Sequence, residues 1–528
     1  MKMLFPALRR RIEHLERWES GTVKVLGIVE ILIAAMLLSV AVYAAAVGDD
    51  SYVFALPAPF VLLLGLFQYL FFSNRRPMAP SLGILLTVET WMISFAILSV
   101  PFLLSGFTVA DSLFEAVSAF TTTGATILAD VNSVDGSLLV WRAVMQWAGG
   151  ITVVIIFTVL LPMLGMRGAG FGSNEFSGAD SSGYTVKISN AAFNFLRIYV
   201  LMTAAEIVIL TVLGVVPFES FCIALSNIPT GGLLPTNDSM AGYGTPVQFV
   251  TLVFMFLGAT NYYLLFRTFF TKDRRALRKS SEFRWMVKWF AVCTLVVAAV
   301  IVASDETPYG IDGLREVARS LWHAAYCIVS AGTSSGFAIS DYTMWPALGL
   351  MILLIVEFVG GMSGSTAGGI KIHRMMALKS YIVAGMDKIM HPSMVTSMRI
   401  DNKTLDSNDV TSAVSTIFLF IVGITVALCA VMYLEPQLDV QTDFGVVFAA
   451  VANVGVGSGQ IGPFDSYGSL RDATKYLLCL LMWLGRMEFV LAVMIFTRGF
   501  WEDVRLNAGF RRKAAEMRHI YSIGRKYR

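Results

Sequence analysis

Glu115–Leu128 reads EAVSAFTTTGATIL. The stretch lies between two long apolar segments, too short and too polar to cross a bilayer, yet too apolar for an ordinary loop. A crossing helix needs about 20 apolar residues. The stretch therefore predicts a half-length helix that ends in three threonines and a glycine at membrane depth. Non-helical backbone is tolerated there only when it is buried in protein or lines a water-filled cavity.

The stretch has three counterparts. DSLFEAVSAFTTTGATI, FESFCIALSNIPTGGLL, LREVARSLWHAAYCIVSAGTSSGFAISD and DFGVVFAAVANVGVGSGQIGPF each run about three turns, then small or polar residues, then glycine. Taking Gly124, Gly231, Gly336 and Gly455 as the closing glycines, the separations are 107, 105 and 119 residues (231−124, 336−231, 455−336). Repetition at a regular period means similar units. A unit of span, half-helix, glycine loop and span thus occurs four times, and four such units around one axis would bring four glycine loops together.

The rest of the chain agrees with a membrane setting. Of 528 residues, 56% are hydrophobic and 15% charged, against about 25% charged in soluble domains. Ten apolar spans are expected to begin near Val23, Tyr52, Leu82, Leu138, Phe193, Val247, Trp285, Trp345, Val410 and Thr474. The fold class expected is an all-α polytopic membrane protein with four pseudo-symmetric helix, re-entrant loop, helix repeats around a central pore, plus an N-terminal helix pair. The boundaries expected are 1–76 for the N-terminal segment and helix pair, 77–168, 169–275, 276–390 and 391–503 for the four repeats, and 504–528 for a basic tail. Lys and Arg cluster in ALRRRIEHLER, SNRRP, KDRRALRK and GFRRKAAEMRHIYSIGRKYR, while AVGDDSY and LEPQLDVQTDF have none. The positive-inside rule makes the basic set cytoplasmic and places both termini inside. Beside spans, a basic tail points to anionic lipid or a cytosolic partner rather than nucleic acid. The five cysteines show no CxxC spacing and sit in apolar surroundings, as buried thiols do.

The glycine loops carry the chemistry. Each half-helix points its partially negative C-terminal end toward the membrane centre, and broken-helix ends of this kind coordinate cations in transporters. TTTG, IPTG, TSSG and NVG offer backbone carbonyls and Thr or Ser hydroxyls. Glycine permits the positive φ that turns successive carbonyls toward an axis, and a ring of carbonyls can replace the hydration shell of K+. These stretches contain no Asp or Glu, so a carboxylate ring suited to divalent cations is not supported.

SAFTTTGAT, VSAGTSSGF, ANVGVGSGQIG, GGMSGSTAGGIKIHR and WLGRMEFVLAVMIFTRGFW resemble the TrkH/KtrB/HKT superfamily of potassium uptake proteins, most of all its bacterial TrkH branch, over about residues 80 to 505. The resemblance implies a pore-forming subunit of the bacterial inner membrane that conducts K+, and could admit Rb+ and some Na+. It implies K+ as substrate with no organic cofactor in this chain, a homodimer, and a cytosolic nucleotide-binding regulatory ring of the TrkA kind. Carried over, the filter residues are Thr122, Thr123 and Gly124; Pro229, Thr230 and Gly231; Ser334, Ser335 and Gly336; Asn453, Val454 and Gly455. Two departures stand out: Pro229 where a small residue is commoner, and one asparagine in the fourth loop where two are usual. All four glycines are present, which within the superfamily favours potassium over sodium.

Five glycines within Gly360–Gly369 should break the helix that begins near Trp345, since each costs about 1 kcal/mol relative to alanine. The resemblance makes this stretch (Gly360, Gly361, Ser363, Gly364, Ser365, Thr366, Gly368, Gly369) an intramembrane gating loop. Arg486 is a charge inside a span, and such charges face a bundle interior or a water cavity. It is the candidate pore barrier, with Glu357 as the acid that could neutralise it; Glu488 points elsewhere on the helix. Glu89, Glu206 and Glu357 leave open an H+- or Na+-coupled symporter of the same fold. Enzyme-like matches are weak. GTSSG lacks the strand-to-helix turn of a nucleophile elbow, and GSGQIG lacks a βαβ unit and is followed by Pro463. GMSG would make Ser363 the nucleophile of an intramembrane protease, but His373, His391 and His519 all lie outside later apolar spans. His14 and His323 have no His or Cys at ligand spacing.

Overall fold

Long apolar runs bounded by Gly, Pro, Ser and Asp fold here as helices, whose interior backbone polar groups are satisfied within the segment. The computed structural model describes residues 20–72, 80–155, 181–271, 273–304, 314–393, 398–400, 403–405, 407–487 and 489–504. The main helices are α1 (Ser20–Val47), α2 (Pro57–Phe71), α3 (Pro80–Leu98), α4 (Val109–Phe120), α5 (Gly136–Ile155) and α6 (Ser181–Val212). There follow α7 (Pro217–Asn227), α8 (Thr245–Gly258), α9 (Tyr262–Phe270), α10 (Ser281–Ala303), α11 (Leu314–Gly332) and α12 (Ala347–Val359). The last are α13 (Ile372–Met390), α14 (Ser407–Leu434), α15 (Val440–Ala452), α16 (Asp472–Met487) and α17 (Phe489–Met494). Among the described residues the one sheet is a two-residue hairpin, Arg399–Ile400 against Lys403–Thr404.

Among the described residues six helices are long and apolar enough to cross a membrane: Thr22–Val47, Tyr52–Phe71, Ser81–Leu104, Phe193–Val212, Ser281–Ala303 and Asp409–Leu434. The other four expected spans take different forms. The one starting near Val247 is broken, with α8 and α9 meeting at 107°. The one starting near Trp345 is the 13-residue α12, and those near Leu138 and Thr474 are α5 and α16. The half-helices α4, α7 and α15 span 12, 11 and 13 residues. The third, α11, spans 19 residues, longer than the three turns expected of it. The basic segments 1–19, 73–77 and 505–528, with His14, Glu488 and His519, lie outside the described residues.

The chain divides into two compact units. One holds residues up to 104 together with those from 490 onward. In it α1 and α2 cross at glycine: a methyl at Gly27 would lie 2.7 Å from the Gly65 carbonyl oxygen, and one at Gly65 2.8 Å from that of Gly27. Small residues at such crossings let backbones approach in lipid. Glu30, buried on α1, accepts from Gln68 Nε2 at 3.0 Å. The other unit holds residues 105–162 and 166–489, and with them every half-helix and glycine loop. A core cluster in it joins Met255, Phe290, Val297, Tyr326, Ile328 and Val356 from α8, α10, α11 and α12.

Candidate functional site

The four half-helices begin alike. Thr108 caps α4 through Asp111 N, Pro217 opens α7, and Asp439 caps α15 through Thr442 N. Each carries an acid in its first turn (Asp111, Glu219, Glu316 and Asp443) and no base in its last. The acids suit the positive N-terminal end of each helix dipole. The negative C-terminal ends are left without a cationic side chain in the last turn.

They also end alike, in one hydrogen-bond pattern. Thr123 N, Gly231 N, Ser335 N and Val454 N donate to Ser118 O, Ser226 O, Ser330 O and Ala449 O at 2.8, 2.8, 2.9 and 2.9 Å. The preceding residue donates three back, Thr122 N to Ala119 O and its counterparts. This is the Schellman C-cap, whose left-handed position is normally glycine. Here it is held by Thr122, Thr230, Ser334 and Asn453 at φ 52, 57, 60 and 54°. Left-handed backbone at non-glycine residues costs on the order of 1–3 kcal/mol and collects at functional sites. Two residues on, Gly124, Gly232, Gly336 and Gly455 take φ 91, 92, 68 and 78°.

This pattern corrects the second loop by one residue. Thr230, Gly231 and Gly232 match the other triplets, whereas the expected set began at Pro229 and ended at Gly231. Pro229 precedes the cap and supplies packing: a methyl at Gly150 would fall 2.6 Å from its Cβ. The unusual proline therefore does not occupy a matching position.

The same glycines show that the loops form a closed ring. A methyl at Gly124 would collide with the Gly231 carbonyl oxygen, at Gly232 with Ser335 O, at Gly336 with Val454 O, and at Gly455 with Thr123 O, each under 3.0 Å. Each loop thus abuts the next, and the fourth abuts the first. A second ring lies in the segments after the loops. Asn237 bridges to Asp130 and Val131, Met240 N to Ala338 O, Tyr342 Oη to Gly457 O, and Tyr467 N to Thr126 O, all between 2.7 and 2.9 Å. In the first of these links the Asn237 amide holds the Asp130 carboxyl below the usual range.

Along these loops the carbonyls of Thr122, Thr123, Gly124, Thr230, Gly232, Ser334, Ser335, Gly336, Asn453 and Val454 accept no hydrogen bond from the described residues. Buried carbonyls are almost always paired, so a run of unpaired ones is unusual and offers acceptor oxygens. Gly231 O and Gly455 O are the exceptions, taken by Gln146 Nε2 at 2.7 Å and Tyr467 Oη at 3.1 Å. Thr122 Oγ1 is buried without a partner. Asn453 Nδ2 ties the fourth loop to Thr123 Oγ1 at 2.9 Å and to Met482 O of α16 at 2.8 Å.

Glu115, on α4 seven residues before Thr122, backs the ring and does not line it. Its Oε1 accepts from Thr126 Oγ1 at 2.6 Å and Ile127 N at 2.7 Å, fixing the chain just past Gly124. Its Oε2 lies 3.0 Å from Arg142 Nε, a buried ion pair off the line of a hydrogen bond. Sequence reasoning missed this pair, though an arginine inside α5 was the signal for it.

Residues 360–371 leave α12 at Gly360 (φ 70°) and enter α13 after Lys371 (φ 79°). The loop reaches the ring: Gly368 N donates to Ser334 Oγ at 2.9 Å, and a methyl at Gly368 would collide with Ala452 O. Thr366 Oγ1 bonds Ile228 O at 3.2 Å, and Arg486 Nη1 donates to Thr366 O at 2.7 Å. Arg486 is buried, its Nε and Nη2 have no partner, and among the described residues it forms no ion pair. The expected neutralisation by Glu357 is therefore replaced by a carbonyl of the loop. Ser363 is engaged through its backbone, to Glu282 and Asn261.

A family model described as TrkH, cation transport protein, matches residues 60–502. The Trk system potassium uptake protein TrkI of Halomonas elongata is 30% identical over 509 residues, covering 94% of this chain and 99% of that protein. TrkG of Escherichia coli K12, also a Trk system potassium uptake protein, is 29% identical over 80% of this chain and 85% of its own length. The crystal structure of the potassium transporter TrkH from Vibrio parahaemolyticus shares the fold at a TM-score of 0.81 and 24% identity, covering 91% of this chain and 99% of its own. These relatives are transport proteins, which sets the protease match at Ser363 aside. The chain is a multi-pass membrane protein, and it belongs to the TrkH family of cation transport proteins.

Proposed function

We propose that this chain is the pore-forming subunit of a potassium uptake system. K+ is the substrate, held by main-chain carbonyls of Thr122–Gly124, Thr230–Gly232, Ser334–Gly336 and Asn453–Gly455. The observation that carries the reading is the cyclic contact of four glycine loops around carbonyls that have no protein partner. Four uncompensated helix C-termini add negative potential at the same place. Carbonyls in such a ring replace the hydration shell of the ion. Inward flow then follows the membrane potential, worth about 2.3 kcal/mol per charge per 100 mV.

In the same reading Gly360–Gly369 is the gate and Arg486 the barrier beneath the filter. Support comes from their mutual hydrogen bond and from the contact of Gly368 with the third and fourth loops. The family resemblance adds a homodimer, a cytosolic nucleotide-binding regulatory ring of the TrkA kind, and a bacterial inner membrane with both termini inside. Rb+ uptake into proteoliposomes, with and without competing Na+, tests the filter: uptake should persist under excess Na+, and equal competition would refute a potassium ring. A coupled symporter is the second reading. It rests on Glu357, buried in α12 with Oε2 unpartnered. Reversal potentials that follow K+ alone at every pH and Na+ gradient would exclude it.

A further inference from the structure

The gating loop is fastened at one residue from two sides. The break between α8 and α9 frees the carbonyls of Gly258 and Ala259, as any helix end does. Loop groups take both: Met362 N donates to Ala259 O at 3.1 Å, and Thr366 Oγ1 to Gly258 O at 3.0 Å. Asn261 then starts α9, its Oδ1 accepting from Tyr263 N at 2.9 Å and Leu264 N at 3.2 Å. Its Nδ2 faces the other way and donates to Ser363 O at 2.6 Å. The next backbone group of α9, Tyr262 N, donates to Gly364 O at 3.2 Å. On the opposite side Ser363 N donates to Glu282 Oε1 of α10 at 2.7 Å. Asn261 and Glu282 are both buried.

Both main-chain groups of Ser363 are thus satisfied by the two ends of one connector, residues 261–282. That connector is itself braced. Asp273 binds Arg267 at 2.8 Å and Lys279 at 3.3 Å, and Ser280 caps α10 through Phe283 N. We propose that the 261–282 connector is a clamp on the gating loop, with Asn261 and Glu282 as its positioning residues. The clamp rests on the reading of residues 360–369 as a gate. A buried loop whose backbone groups lose their partners becomes unfavourable where it stands. Displacing the connector therefore releases the loop at Ser363 from both sides.

The test uses the full chain in proteoliposomes. Asn261→Asp keeps the oxygen that caps α9 and loses the donor to Ser363. Glu282→Ala removes the other jaw, and Glu282→Gln restores an acceptor oxygen. Loss of one hydrogen bond should raise basal Rb+ flux about fivefold in Asn261→Asp, and by at least as much in Glu282→Ala, which also loses the bond from the His373 backbone, with flux close to the parent in Glu282→Gln and the Rb+/Na+ ratio unchanged throughout. Amide hydrogen exchange should accelerate over residues 360–371 and not over 118–128, which separates a released loop from a misfolded chain. Unaltered or reduced flux in both variants, while deletion of 362–366 raises it, overturns the clamp and leaves the gate standing. If that deletion does not raise flux, the gate fails and the clamp with it.

Discussion

The four glycine loops and the loop at 360–371 are both irregular backbone buried in a membrane protein, and they are built by opposite rules. Each glycine loop is determined locally, by a half-helix, a Schellman cap with a side chain in the left-handed position, and a glycine two residues on. The rule is applied four times with different letters, and the φ values agree within a narrow range. The other loop occurs once. It takes its place from partners in α8, α9, α10, α16 and the third glycine loop. A locally determined element is rigid, whereas one held by scattered hydrogen bonds can be released by moving any of its holders. A filter needs the first property and a gate the second.

The hardest way to break the rigid half is to remove its backing. Arg142→Met leaves Glu115 buried beside Thr126 and Ile127 without its cation. Breaking a buried pair from one side costs about 3–5 kcal/mol, whereas replacing both partners is far milder. Thermal unfolding in detergent should show a large loss for Arg142→Met and recovery of most of it in the Arg142→Met, Glu115→Gln double variant. A single variant as stable as the parent would show that the pair does not support the loop.

Next in size is the register of the second loop. Gly232→Ala places a methyl 2.7 Å from Ser335 O at a φ of 92°, where alanine is strained as well. K+ flux should fall roughly 5- to 150-fold, by a strain of about 1–3 kcal/mol within the ring. Gly231→Ala meets the Gln146 side chain first, at an ordinary φ, and should cost less. The reverse order would restore the register expected from sequence. Gly368→Ala sharpens the contrast from the other half, because its methyl collides with Ala452 O and drives the unique loop off the ring. Overpacking of this kind costs about 1–3 kcal/mol. Flux should therefore rise, by roughly tenfold for 1.4 kcal/mol, where the filter glycine lowers it; a fall would refute the gate.

The same contrast explains what could be read from the sequence. Half-helices and loop glycines are local, so they were legible, as were the extra helix pair and the glycine-rich break at Gly360. The one-residue slip arose where PTGG offers two adjacent glycines, and only the cap geometry chooses between them. What stayed hidden was tertiary: Arg486 bound to Thr366 O, Arg142 behind Glu115, and the bend after Gly258. That bend had a signal in GATN, a glycine followed by a good N-cap residue, but an apolar run on both sides concealed it.

The smallest effect concerns the side chains kept at left-handed positions. Thr122→Gly relieves about 1–2 kcal/mol of left-handed strain and gives back about 0.5–1 kcal/mol through the entropy of the unfolded chain. Its buried hydroxyl has no partner to lose, so the variant should be about 1 kcal/mol more stable than the parent. Asn453→Gly relieves the same strain but forfeits the bonds to Thr123 and Met482, each worth about 1 kcal/mol, and should be less stable. If stability rises at Thr122 while Rb+/Na+ discrimination falls, the threonine is retained for the ion. If discrimination is unchanged, the strained hydroxyl has no part in selection, and the carbonyl beside it carries the corner alone.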